Sequence, residues 1–276
     1  MKQTFLLVSF LFFIPSLVLS ADTISKETKE LYVKSGLKTQ IESFSSILLT
    51  QIDAEIKNDP DKNKYKPNEI KKLAKTIKDV FGASDLSKKS LKILSQELSQ
   101  AETKNLLNWF HSAVGKKVAW YEDHISTRAG YFAMNNYEKN ITKNPPTEDY
   151  KHTIKQLTSN MKVMEAATNI ALINQVLVDV AIASLLPNFT KDMFDNISKK
   201  AERNKNALKK KVEGEMGLIM LFSYSYLSKD EVNKYLEFTS TPLGKKYFPL
   251  MVKALNLTFT KASVEFRDKR FETINH

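Results

Sequence analysis

Few residues in this chain are of types that do catalytic or metal chemistry. Cysteine is absent, and the four histidines are His111, His124, His152 and His276. Without cysteine there can be no disulfide framework, zinc finger, iron–sulfur cluster or thiolate nucleophile. No H-E-x-x-H string or Glu-x-x-His pair occurs, so no metal site is expected. Only seven glycines are present, and they build neither G-x-G-x-x-G nor G-K-[ST]; no nucleotide or other cofactor is expected. The serines form no G-x-S-x-G elbow, and Ser87-Lys88-Lys89-Ser90 lacks the strings that would support an S-x-x-K nucleophile. Two carboxylates stand in a pattern, Glu102 and Glu231, and a carboxylate pair can do general acid–base work. Each lies three residues after a serine, however, Ser99 and Ser228, which is the spacing of a helix capping box. No catalytic residue is therefore assigned, and the chain is expected not to be an enzyme.

The two glutamates belong to an internal repeat. Shifted by 129 residues, SQAETKNLLNWFHSAVGKK from Ser99 meets SKDEVNKYLEFTSTPLGKK from Ser228. Glu102 falls on Glu231, Leu107 on Leu236, Gly115 on Gly244, Lys116 on Lys245 and Lys117 on Lys246, while Trp109 and Phe238 keep an aromatic ring. His111 falls on Ser240, so the repeat preserves no imidazole. Each string reads as a capped helix of about three turns, then a second helix capped by Ser112 or Thr241. Pro242 suits the first helical position, where a missing N–H costs nothing. Gly115 and Gly244 sit inside that second helix at an intrinsic cost of about 1 kcal/mol each. They are expected at tight corners where backbones approach closely, so the motif is taken as structural. The same shift pairs Ile41 with Ile170 and Leu48 with Leu177. A first unit over 21–146 and a second over 147–276 are expected, divided at Asn144-Pro145-Pro146-Thr147.

The string F-x-[ST]-x-P-x-G-K-K preceded by S-x-x-E resembles the bacterial periplasmic family called domain of unknown function 2059. The second copy carries it through Glu231, Phe238, Ser240, Pro242, Gly244 and Lys245. The first keeps Glu102, Trp109, Ser112 and Gly115 but has Ala113 where proline is expected. The resemblance implies an all-helical, exported bacterial protein and carries over no activity.

The elements that must position these residues read as helices. From Leu31 to Ile56 the apolar residues Leu37, Ile41, Phe44, Ile47, Leu48, Ile52 and Ile56 paint one helical face. No convincing strand alternation occurs, so an all-α fold of eight or nine helices in two related bundles, with no sheet, is predicted. Lys2, the apolar run Phe5 to Ile14 and Val18-Leu19-Ser20 read as a signal peptide at 1–20, cut after Ser20, with an uncleaved anchor helix as the alternative. The expected address is the periplasm of a Gram-negative bacterium. The stretch from Ala166 to Leu186 is apolar but holds Asn169, Asn174, Gln175 and Asp179, and reads as a buried helix. The N-x-[ST] sequons at Asn140, Asn188, Asn196 and Asn256 read as chance in so Asn-rich a chain.

Over 276 residues, 42 Lys+Arg outnumber 31 Asp+Glu, a net charge of +11. The densest basic run, Lys199 to Lys211, alternates with Glu202, Glu213 and Glu215 as a solvated helix face does. Weak contact with an anionic membrane surface is compatible with it, and nucleic acid is not expected as a partner. The function expected is that of an exported, non-enzymatic binding or interaction protein with an unidentified envelope partner. The alternative is a carrier of an apolar or lipid ligand between helices of the second unit, around Ile173, Leu177, Met216 and Phe222.

Overall fold

A computed structural model describes residues 24–125 and 127–274; the signal-peptide segment and His276 lie outside them. Among the described residues there are twelve α-helices and no strand. They are α1 Lys26–Lys34, α2 Leu37–Asn58, α3 Pro67–Val80, α4 Ala83–Glu97, α5 Gln100–His111 and α6 Ala113–His124. After these come α7 Arg128–Ile141, α8 Glu148–Asn160, α9 Val163–Ala183, α10 Lys191–Tyr224, α11 Lys229–Ser240 and α12 Pro242–Ile274.

The all-α class is as the sequence predicts, but the count exceeds eight or nine because three breaks carry weak signals. Gly36 takes φ 74° and separates α1 from α2. Thr127 caps α7 through its side chain on the Gly130 amide. Lys162 adopts φ 56° between α8 and α9, the one non-glycine residue with positive φ among those described. A left-handed conformation costs an L-residue about 1–2 kcal/mol, so nothing in the sequence marks a lysine for it.

The 146/147 boundary falls in the connection between α7 and α8, yet it does not divide two cores. One hydrophobic cluster runs from Leu31 on α1 to Phe266 on α12. Phe44 of α2 stacks on Phe259 of α12 with centroids 4.1 Å apart and meets Phe81, which in turn meets Phe266. Each such fully buried ring contributes about 1.5–3 kcal/mol. α12 packs against α3 and α4 as well as α9 and α11. Buried polar groups are placed with equal care: Ser90 and Thr258 share a hydrogen bond of 2.9 Å. Arg270, 0% exposed, donates from Nε to the Ser184 hydroxyl and from Nη2 to the Ser184 carbonyl, so a cation meets the C-terminal end of α9, where carbonyls are left over.

α9 is the one described helix long and apolar enough to cross a membrane. In the fold it is held by α10, α12, α2 and α8. Its polar residues face partners: Asn174 donates to Gln51, and Gln175 to Asp179.

Candidate functional site

The repeated strings meet each other through reciprocal contacts. In both, the serine accepts from the amide three residues on while the glutamate accepts from the serine amide, so Ser99/Glu102 and Ser228/Glu231 are complete capping boxes. Ser112 and Thr241 cap the next helices with matching backbone angles, φ −64° in each case and ψ 161° and 159°. The second lysine of each string then reaches the glutamate of the other. Lys246 Nζ donates to both Glu102 oxygens at 2.7 and 2.8 Å, and Lys117 Nζ to both Glu231 oxygens at 3.0 and 2.9 Å. Trp109 and Phe238 stack on one another, 4.4 Å apart and 9° from parallel. Lys246 and then the Ser99 bonds hold the Glu102 carboxyl down to about 2, and the Ser228 amide followed by Lys117 lowers Glu231. Their oxygens are engaged as ionised caps, an arrangement that suits holding helices together.

Gly115 and Gly244 are the corners of this assembly. A Cβ on Gly115 would stand 2.9 Å from the Trp109 carbonyl carbon and 3.0 Å from Phe110 Cα, closer still to the Trp109 oxygen. On Gly244 it would stand 2.9 Å from Thr239 Cα and 3.0 Å from its carbonyl carbon, closer still to the Phe238 oxygen. The colliding group is the end of the preceding helix. Gly130, three residues after Thr127, makes the same corner against His124, and Thr127-x-x-Gly130 was the signal for it. Lys116 and Lys245 are exposed beside the corners, as is Ser240, whose hydroxyl accepts from Asn160.

The histidines do not converge. His111 sits 2.9 Å from Glu30, His124 stacks on Trp120, and His152 is exposed on α8. Among the described residues no group of three His, Asp or Glu is placed to hold a metal.

The feature with the geometry of a ligand site lies elsewhere. α8, α9 and α10 enclose an open cleft of about 900 Å³. Its floor is apolar, from Ile154 on α8, Met164 on α9, and Met220 and Leu221 on α10. Its rim carries five lysines, Lys151, Lys155, Lys162, Lys205 and Lys209, against Glu165 and Glu213. Lys151, Lys205 and Lys209 pair with Glu148, Glu202 and Glu213. Lys155 and Lys162 have no ion-pair partner among the described residues. The left-handed turn at Lys162 sets its side chain on this rim, and such strain collects at binding sites. Gly217 on α10 opens the wall, and a Cβ there would meet nothing within 4 Å. Ile173, Leu177, Met216 and Phe222, around which a ligand was expected, do not line this cleft. Leu177 and Phe222 are core residues, and Met216 faces a smaller cavity. The basic side chains from Lys199 to Lys211 are exposed along α10 apart from the half-buried Lys205, and Lys205 and Lys209 stand on the rim.

No family model, curated protein or solved structure matches this chain.

Proposed function

We propose that this is an exported, non-enzymatic binding protein of the bacterial periplasm that carries a single-chain anionic amphiphile in the α8–α10 cleft. The observation that supports it is the cleft's two-part chemistry. An apolar floor of about 900 Å³ in scale receives a hydrocarbon tail, and the unpaired Lys155 and Lys162 receive a carboxylate or phosphate head. The volume lies within the range of small-molecule sites, about 300–1,000 Å³. Export rests on the N-terminal sequence, and kinship to the domain of unknown function 2059 on the repeated motif. Descent from two copies of one unit is supported by the reciprocal Glu102–Lys246 and Glu231–Lys117 pairs, because two copies related by a two-fold exchange equivalent contacts.

The test is a titration of lipid-stripped protein with a fluorescent long-chain fatty acid. Micromolar binding is expected, weakened on the order of tenfold by Lys155→Glu combined with Lys162→Glu, since each tenfold is about 1.4 kcal/mol. Unchanged binding in that double variant would remove the cleft from the reading.

A second reading has its own observation. Trp120 and Tyr226 are 56% and 52% exposed and are linked through Tyr121, which stacks on Tyr226 and meets Trp120 edge to face. Exposed aromatic clusters mark interaction surfaces, and this one is the place where an envelope partner would dock.

A further inference from the structure

A second, smaller cavity of about 240 Å³ lies where the two halves of the chain meet. Glu122 of α6 reaches it from the first half, along with Phe110; Tyr235, Tyr247 and Phe248 reach it from the second. The Tyr224 and Tyr235 hydroxyls donate to Glu122 Oε1 at 2.6 and 3.1 Å. Among the described residues nothing donates to Oε2, and no lysine, arginine or histidine pairs with this carboxylate. Glu122 is enclosed by the fold yet keeps some accessible surface, because it lines the cavity. Tyr247, 1% exposed, lines the same space, and its hydroxyl has no hydrogen-bond partner; Ser35 lies nearby without reaching hydrogen-bond geometry.

We infer that this cavity is a binding site for a small organic ammonium, a protonated amine on a short apolar body. Three features select that class. A deeply placed carboxylate is stable in its charged form only when a cation and further hydrogen bonds accompany it, and here the hydrogen bonds are present and the cation is missing. The rings of Phe110, Tyr235, Tyr247 and Phe248 pack edge to face around the space, with centroids 5.2–6.4 Å apart in the pairs Phe110–Tyr247, Tyr247–Phe248 and Tyr235–Phe248. Aromatic faces attract ammonium groups. The remaining walls are mostly apolar, among them Ala166, Ile170 and Met251, and Ser35 and Gln40 add only neutral side-chain oxygens, fewer than the roughly six to eight oxygens, several of them charged, that a calcium ion gathers. Burial raises the Glu122 pKa, with Asp123 adding to it against the two tyrosine bonds, and an ammonium beside the carboxyl favours its charged form. The site is distinct from the lysine-rimmed cleft, with which it shares no lining residue.

The experiment is a calorimetric titration of the full chain with 2-phenylethylammonium and with its neutral counterpart, 2-phenylethanol. The wild type is expected to prefer the ammonium by about tenfold, a difference of about 1.4 kcal/mol. Glu122→Gln keeps an oxygen for both tyrosine hydroxyls and is expected to lose that preference. Ala166→Leu fills the cavity without touching the carboxylate and is expected to lose binding of both probes. Circular dichroism of each variant reports its fold, and if Glu122→Gln does not fold, Ala166→Leu and the wild-type preference carry the decision. No ammonium binding, equal binding of the two probes, or a preference that survives Glu122→Gln each overturns the proposal.

Discussion

Replacing Gly244 by alanine exchanges one hydrogen for a methyl group, and the structure fixes where its carbon goes. It would lie 2.9 and 3.0 Å from two backbone carbons of Thr239, and closer to the Phe238 carbonyl oxygen. Ordinary contact begins near 3.4 Å, so α11 and α12 must part by about half an ångström or more at the corner. Backbone atoms on both sides leave no flexible side chain to yield. Overpacking of this kind costs about 1–3 kcal/mol, and the upper end applies here. Alanine returns about 1 kcal/mol as a better helix former, leaving a net loss of about 2 kcal/mol. For a protein of this size that lowers Tm by about 4–8 °C. Gly214 supplies the control. It also lies inside a helix, α10, but a Cβ there meets nothing within 4 Å. Gly214→Ala is therefore expected to stabilise by about 0.5–1 kcal/mol. Thermal melts followed at 222 nm separate the two. If Gly244→Ala melts at or above the parent, as Gly214→Ala should, the corner explanation for both repeated glycines is wrong.

Three further outcomes follow from the same geometry. Glu102 has its pKa depressed to about 2 when folded, so its stabilising contribution is complete above the unfolded value near 4.5 and is lost as pH falls toward 2; comparing Glu102→Gln with the parent, the stability difference should shrink over that window. Arg270→Ala leaves the Ser184 carbonyl without its buried donor and opens a cavity, and denaturant melts should show a loss of about 2–5 kcal/mol. Lys162→Gly relieves a left-handed lysine and should raise stability by up to about 1 kcal/mol while weakening fatty-acid binding, an opposition that a merely structural Lys162 would not produce.

What the sequence reveals and what it hides divide along physical lines. Capping boxes, the helix-opening Pro242 and the in-helix glycines are local devices, and their spacing alone places α5, α6, α11 and the start of α12. The reciprocal pairing of Glu102 with Lys246 and of Glu231 with Lys117 joins residues more than a hundred positions apart, and no local pattern encodes it. The sharing of one core between the halves is equally non-local: Phe44 is legible as an apolar-face residue but not as the neighbour of Phe259. The cleft was hidden because its rim lysines come from α8, α10 and the turn at Lys162, and each looks like an ordinary solvated charge. Glu122 did leave a trace. It follows the buried Gly115 and Val118 by helical steps, so a carboxylate stands on an otherwise apolar face of α6.

The α8–α10 cleft, with its apolar floor and lysine rim, is proposed to hold an anionic amphiphile. Native mass spectrometry of the protein released gently from its own envelope tests this most directly, with Gly217→Trp measured alongside. The substitution plugs the cleft from a position where added atoms meet open space, and so should leave the fold intact. The wild type is expected to carry an added mass that dissociates as a single-chain fatty acid or lysophospholipid, and Gly217→Trp to fly without it. A wild type that is free of adduct, or an adduct that persists undiminished in the plugged variant, contradicts the claim.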